Sequence, residues 1–495
     1  MGSQMNRGLQ LTAEDAMMIP VSELSTPRDR TWVPIAGFCF MTLVLLAVPG
    51  VLRLAYPLLA FALGLYFYFR APSKYLSFTL WLYFLSPFVR RLADYRIGEF
   101  IDGNTILLAP ALVTLIALLS LRHLPARITD GWLTLILLLG TVSFGGAVGF
   151  LFLSDRQAVV KSLIGWICPL AFAAHIYLNW RDYPEVRRTL ERTAVGGLLV
   201  VGIYGVIQFC FAPPWDVLWM NAMEYDAASG PGVYGEPLPF AIRTFSTMNS
   251  HQPMAIVLII LGVFALTKRK RLYSVAVGIG MLPVLFSLAR TAWLQAFVSF
   301  IMLVVLTRET KYLKVFGVGL LALLVLGIGL SFTPFGDTLQ ARISSFSDKS
   351  DDISVGARQA GYSKGIRLAE EHPFGMGAGG MEVAYTPVIY EDFGPNDSAL
   401  VELLVQFGVA GAAAMFLAIF IGLRMMYVEF RKTKDVILAA VMAIWAGLLI
   451  QSPLNSCFDG AHGVFVWTAF GLGIASVNYS RSKRECEASP VSLPA

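Results

Sequence analysis

Two arginines stand where a charge is costly. Arg243 lies in PLPFAIRTFSTMNSHQP just before an apolar stretch, and Arg290 in FSLARTAWLQAF interrupts one. Ions at such depth usually face a cavity or a partner, and a planar, permanently charged guanidinium suits bidentate binding of phosphate. Further arginines lie away from the basic clusters described below: Arg53, Arg90, Arg91, Arg96, Arg156, Arg342, Arg358 and Arg367. For any one of these, a solvated loop charge or a lipid-headgroup anchor is the plainer reading. His251 and His372 are able to move a proton near neutral pH, although a lone histidine is more often structural. Glu236, before Arg243, and Asp397, in PNDSALVELLVQFGVAG, are the acidic candidates for positioning or deprotonating a hydroxyl. Asp397 is equally suited to capping the helix it precedes. The string HPFGMGAGG from His372 has the glycines of a phosphate-cradling loop but not its Lys-Ser/Thr ending, so nucleotide binding is not indicated. Its glycines suit tight turns against a neighbouring surface.

The elements that must position these residues are membrane helices. Of the 495 residues, 56% are hydrophobic and 14% charged, with a mean hydropathy of +0.65, which excludes a soluble domain. Apolar stretches recur at lengths near the roughly 20 residues a helix needs to cross the hydrocarbon core. The fold class expected is an all-α polytopic membrane protein with about 12–14 spans. We place a cytoplasmic tail at 1–31, eleven spans over 32–332 with an external loop near 212–252, a large external loop at 333–398, three spans over 399–478 and a cytoplasmic tail at 479–495. The eleventh span is Tyr312–Phe332, and the short second, third and eighth are the ones open to merging or re-entry. Lys/Arg clusters such as Arg181/Arg187/Arg188/Arg192, Lys268–Arg271 and Arg481/Lys483/Arg484 fall on alternate turns. The positive-inside bias puts them in the cytoplasm and the two long loops outside. The loop 333–398 is too long for a simple connector, and Ala357–Glu371 carries helical spacing, so one or two helices are expected over the outer face.

The same features remove other classes. The small net positive charge belongs to membrane orientation, so no nucleic-acid partner is indicated. The cysteines, Cys39, Cys168, Cys210, Cys457 and Cys486, form no C-x-x-C pair and no metal-ligand spacing with histidine, so neither a disulfide nor a metal site is indicated. The N-terminal stretch is polar with both signs of charge, unlike a signal peptide. A transporter or lipid flippase would also need many spans, but it predicts inverted repeats; no convincing halves are visible, and the large loop would have no role.

Taken in order, RTFSTMNSHQ with Arg243, SLAR with Arg290, the large loop, GARQAGYSKGIRLAEEHPFGMGAGG with Arg358 and His372, and NDSALVELLVQFGVAG resemble the O-antigen ligase and Wzy-type polymerase superfamily of bacterial envelope glycosyltransferases. The likeness covers about Trp215 to Met415; in the first half only the pattern of spans agrees. It implies a GT-C-type enzyme of the bacterial inner membrane that uses undecaprenyl-pyrophosphate-linked glycans on the periplasmic side, without metal or cofactor. It implies Arg243 and Arg290 as holders of the donor pyrophosphate, with Arg358 assisting, and Asp397, His372 or Glu236 in general-base work. Membrane lipids, a flippase and chain-length regulators are the implied partners. Ligases typically carry a His-Asn pair at the position of Asp397-Ser398. Its absence here favours a polymerase over ligation to lipid A-core.

Overall fold

The apolar stretches form helices, and the breaks between them follow the local backbone chemistry. A computed structural model describes residues 32–123, 129–225, 234–268, 270–309, 312, 329, 336, 353–384 and 398–488, with the side chains of 353–360 outside that description. The first half runs through α1 (Trp32–Leu45), α2 (Pro49–Arg70), α3 (Pro72–Ile97), α4 (Leu108–Leu115), α5 (Trp132–Phe152), α6 (Arg156–Leu178) and α7 (Tyr183–Phe211). Short 3-10 turns at Thr105–Leu107 and Ile116–His123 extend α4 at both ends. There follow α8 (Pro214–Tyr225), α9 (His251–Leu266), α10 (Arg271–Phe286), α11 (Arg290–Thr307), α12 (Ile353–Glu371), α13 (Gly380–Ala384), α14 (Ala399–Thr433), α15 (Val436–Gln451) and α16 (Gly460–Ala488). Among the described residues there is no strand, only an isolated antiparallel bridge between Gly235 and Ile242.

Among the described residues, eight helical stretches are long and apolar enough to cross a membrane, and four shorter apolar helices accompany them. The chain is therefore an all-α polytopic membrane protein. Helices cover every expected span but the eleventh, which apart from residues 312 and 329 lies outside the described residues. Two departures have local causes. The expected first span is broken between α1 and α2, where Pro49 opens the new helix, its fixed φ being suited to a first turn. The third runs well past Phe88 to Ile97, so that Arg90, Arg91, Asp94 and Arg96 ride on the same rod, and Gly98 in the left-handed conformation ends it.

The basic clusters meet at one end of the bundle. Arg187 lies 3.4 Å from Asp435, Lys268 lies 2.9 Å from Glu191, and Arg484 and Arg481 both reach the buried Glu429. The opposite end carries the described parts of the two long loops, and it is there that the chemistry-bearing residues collect.

Candidate functional site

Arg243 is presented by a loop whose backbone is held by a buried polar scaffold. Its own N–H donates to Tyr234 O at 2.8 Å, beside the Gly235–Ile242 bridge. From Thr244 to Ser250 the chain is not helical, so its polar groups need partners from elsewhere. Gln208 on α7 accepts from the N–H of Phe245 (2.9 Å) and Ser246 (2.7 Å). Arg91 on α3 donates to Met248 O (3.0 Å) and Ser246 O (2.5 Å). Arg91 is wholly buried, 3.2 Å from Asp216 on α8 and over the ring of Phe245 at 4.8 Å. Asp216 in turn accepts from Tyr204 (2.7 Å) and Gln208 (2.8 Å). Burial raises the Asp216 carboxyl above the ordinary carboxylate range, against the pull of Arg91. The network fixes the loop that carries Arg243.

Arg290 opens α11 after a tight turn. Ser287 Oγ donates to Val284 O at 2.7 Å and accepts from Ala289 N–H at 3.3 Å, while Leu288 takes a left-handed backbone. Thr244 N–H donates to Phe286 O at 3.4 Å, and Phe209 stacks on Phe286 with ring centroids 4.1 Å apart. The Arg243 loop therefore abuts the Arg290 turn. Both arginines are half-buried, and Arg290 stands in the first turn of an 18-residue helix, where the macrodipole also favours an anion. Nearby, Thr244 Oγ1, Thr247 Oγ1 and His251 Nδ1 are buried with no hydrogen-bond partner in the protein. Such groups are the kind a polar ligand satisfies.

The connection from α15 to α16, residues 452–459, links this corner to α14. Asn455 Nδ2 donates to Thr291 Oγ1 at 2.5 Å, and Thr291 donates to Gln252 Oε1 at 3.3 Å. The backbone oxygens of Ser452 and Asn455 accept from Ala399 N–H. Ser398 caps α14 through Val401 N–H and bonds Tyr362 of α12 at 3.0 Å. One turn into α14, Glu402 is buried; it accepts from Gln406 at 3.2 Å and lies 2.7 Å from Ser456 Oγ, which lies 3.0 Å from Asp459. Gln406 accepts from Ser162 and Trp166 of α6.

The string 372–380 is a backbone wedge. Met376 N–H donates to Val405 O, Gly377 N–H to Gln406 O and Ala378 N–H to Gly145 O, and Val409 N–H donates back to Pro373 O. A Cβ on Gly377, whose φ is +91°, would overlap the backbone of Gly149. Gly408 breaks the helical path of α14 at the point of contact. The loop is thus interlocked with α5, α6 and α14.

The structure places the sequence candidates unequally. Arg243 and Arg290 lie on adjoining segments. Glu236 is exposed on the Arg243 hairpin, and His372 is exposed at the end of α12. Arg358 lies on α12 with its side chain outside the described residues, as Asp397 does entirely. Other arginines leave the candidate pool: Arg91 is structural, Arg90 pairs with Asp94, and Arg156 bonds Phe150 O. Among the described residues no three His, Cys, Asp or Glu side chains gather as metal ligands.

Residues 275–416 match the family model described as O-antigen ligase. The chain carries an O-antigen ligase-type domain. The matched stretch runs from α10 into α14 and holds Arg290, Arg358, His372 and Asp397, so this part of the chain is similar to O-antigen ligases. No curated protein matches. The O-antigen ligase-type domain does not include Arg243, which α7, α8 and α3 deliver to its edge. Sequence reasoning missed Glu402, Asn455, Ser456 and Asp459; the signal for them was an acid inside the apolar run after Asp397 and a polar turn, SPLNSCFD, between two spans.

Proposed function

We propose that the protein is a polysaccharide polymerase. It transfers glycan from an undecaprenyl-pyrophosphate donor to a sugar hydroxyl of another lipid-linked repeat unit, at the long-loop end, which the charge bias puts on the periplasmic side of the inner membrane. The observation that carries this reading is the junction of the Arg243 loop with the Arg290 turn at the edge of the O-antigen ligase-type domain. As the bond from the sugar C1 to the pyrophosphate oxygen breaks, charge grows on that oxygen. Fixed guanidinium groups at a poorly solvated site stabilise it most where it grows. Arg243 and Arg290 have that role, with Arg358 assisting from α12, and Asp397, His372 or Glu236 takes the acceptor proton. Polymerisation is favoured over ligation because Asp397-Ser398 stands where ligases carry His-Asn, and because Ser398 is engaged in capping α14. A flippase and a chain-length regulator are the partners such a reaction calls for.

The test is purified protein in nanodiscs with synthetic lipid-linked repeat units, followed by product sizing. A ladder of multimers is expected, with none from Arg243→Ala or Arg290→Ala although both variants insert and fold. Ladders of normal length from both variants remove the basis of the assignment. The family description itself favours a second reading, ligation of finished glycan to lipid A-core or another acceptor.

A further inference from the structure

The seam between α11 and α15 carries a polar ladder in strict register. Thr291 and Asn455 form its outer rung at 2.5 Å. The antiparallel register gives Gln295 of α11 and Gln451 at the end of α15 corresponding places one turn further in, and a turn beyond, Ser299 meets Gly447 so closely that a Cβ on Gly447 would overlap Ser299 Oγ. Gln295 and Gln451 are wholly buried, and neither the oxygen nor the nitrogen of either amide has a partner in the protein. Asn455 Oδ1, one turn above, is in the same condition. Leaving a buried amide unsatisfied costs the full desolvation of the group. A buried water typically makes 2–4 hydrogen bonds to such groups, and the rung offers two amide nitrogens that donate and three amide oxygens that accept.

We propose that a buried water bridges the Gln295 and Gln451 amides and Asn455 Oδ1, and that this rung, through Asn455 and Thr291, fixes the depth of Arg290. The water accepts from the two glutamine amide nitrogens and donates to Asn455 Oδ1 and to one glutamine oxygen. Gln295 and Gln451 are positioning residues that act on the donor only through Arg290, about 7.5 Å above Gln295 along the helix axis. The positioning half of the proposal rests on the reading of Arg290 as a pyrophosphate holder.

Two measurements decide it. In a density map of the full-length protein in a nanodisc, at a resolution that shows ordered water, a water is expected between the three side chains. Amides bonded only to each other, with no water, overturn the proposal. The second measurement is affinity for undecaprenyl pyrophosphate, compared with the thermal midpoint, in wild type, Gln451→Leu and Gln295→Leu/Gln451→Leu. The single variant strands one amide and is expected to lower the midpoint, and the double variant to restore it, since removing both polar partners is close to neutral. Affinity is expected to fall several-fold in both. Affinity that recovers together with stability shows a rung that only joins helices, and overturns the positioning role. Wild-type protein that does not bind undecaprenyl pyrophosphate defeats the donor reading instead, and the map then decides the water alone.

Discussion

Ser456 has one hydroxyl proton, yet its Oγ stands 2.7 Å from Glu402 and 3.0 Å from Asp459. One proton serves one acceptor at a time, so Ser456 is a donor shared between the two carboxyls. Ser456→Ala is therefore expected to lower the unfolding temperature, because both carboxyls lose that partner; a variant as stable as wild type would contradict the sharing. At this scale the sequence was readable where a charge interrupts an apolar run, as at Arg243 and Arg290. It was not readable where the partner is remote. Arg91 looked like any other arginine of the long-loop end, because Asp216 and Gln208, which make it structural, lie more than a hundred positions away.

Among elements, the loop holding Arg243 and the wedge after α12 are the least regular parts of the described chain and the most heavily tied. Removing one partner of a buried ion pair leaves the other uncompensated. Arg91→Met is expected to cost about 3–5 kcal/mol, read as a lower unfolding temperature together with protease cleavage within 244–250; cleavage unchanged from wild type would deny the loop its dependence on Arg91. Gly377→Ala places a side chain on a left-handed backbone against Gly149, and overpacking of this kind typically costs about 1–3 kcal/mol. An alanine variant as stable as wild type would contradict the close approach. Hydropathy and turn chemistry made the helices legible, including the role of the HPFGMGAGG glycines in turns against the membrane domain. The interruptions were less so. The kink at Gly408 arises because the wedge from 373–377 takes up backbone groups of α14, and no pattern within α14 itself announces that.

For the whole molecule, the two ends of the bundle divide the labour. One gathers lysines and arginines into ion pairs with Glu191, Glu429 and Asp435, and the other gathers the Arg243 loop, the Arg290 turn and the wedge. The reaction proposed for the second end has a signature in the cell. A deletion strain is expected to accumulate acceptor carrying single repeat units, as loss of a polymerase predicts; long glycan stranded on the lipid carrier would mean a ligase. Composition and charge alternation were enough to read this two-ended plan. The docking of α3, α7 and α8 beneath Arg243 was beyond them, because it depends on contacts between segments that no local pattern pairs.

The interlocked wedge also bears on how this chain can tolerate change in length. Pro373 and the consecutive residues Met376, Gly377 and Ala378 engage α14 and α5 through main-chain groups, and the N–H donors among them are supplied alike by every amino acid but proline. Substitution there is filtered by size and by the left-handed backbone at Gly375, Gly377 and Gly379, whereas insertion or deletion of one residue shifts every contact at once. An epitope tag or a lengthened variant is therefore poorly accommodated within 373–380. The exposed end of α12 at Glu370 and Glu371, a few residues away, has no such constraint, and is where added chain is carried without disturbing the fold.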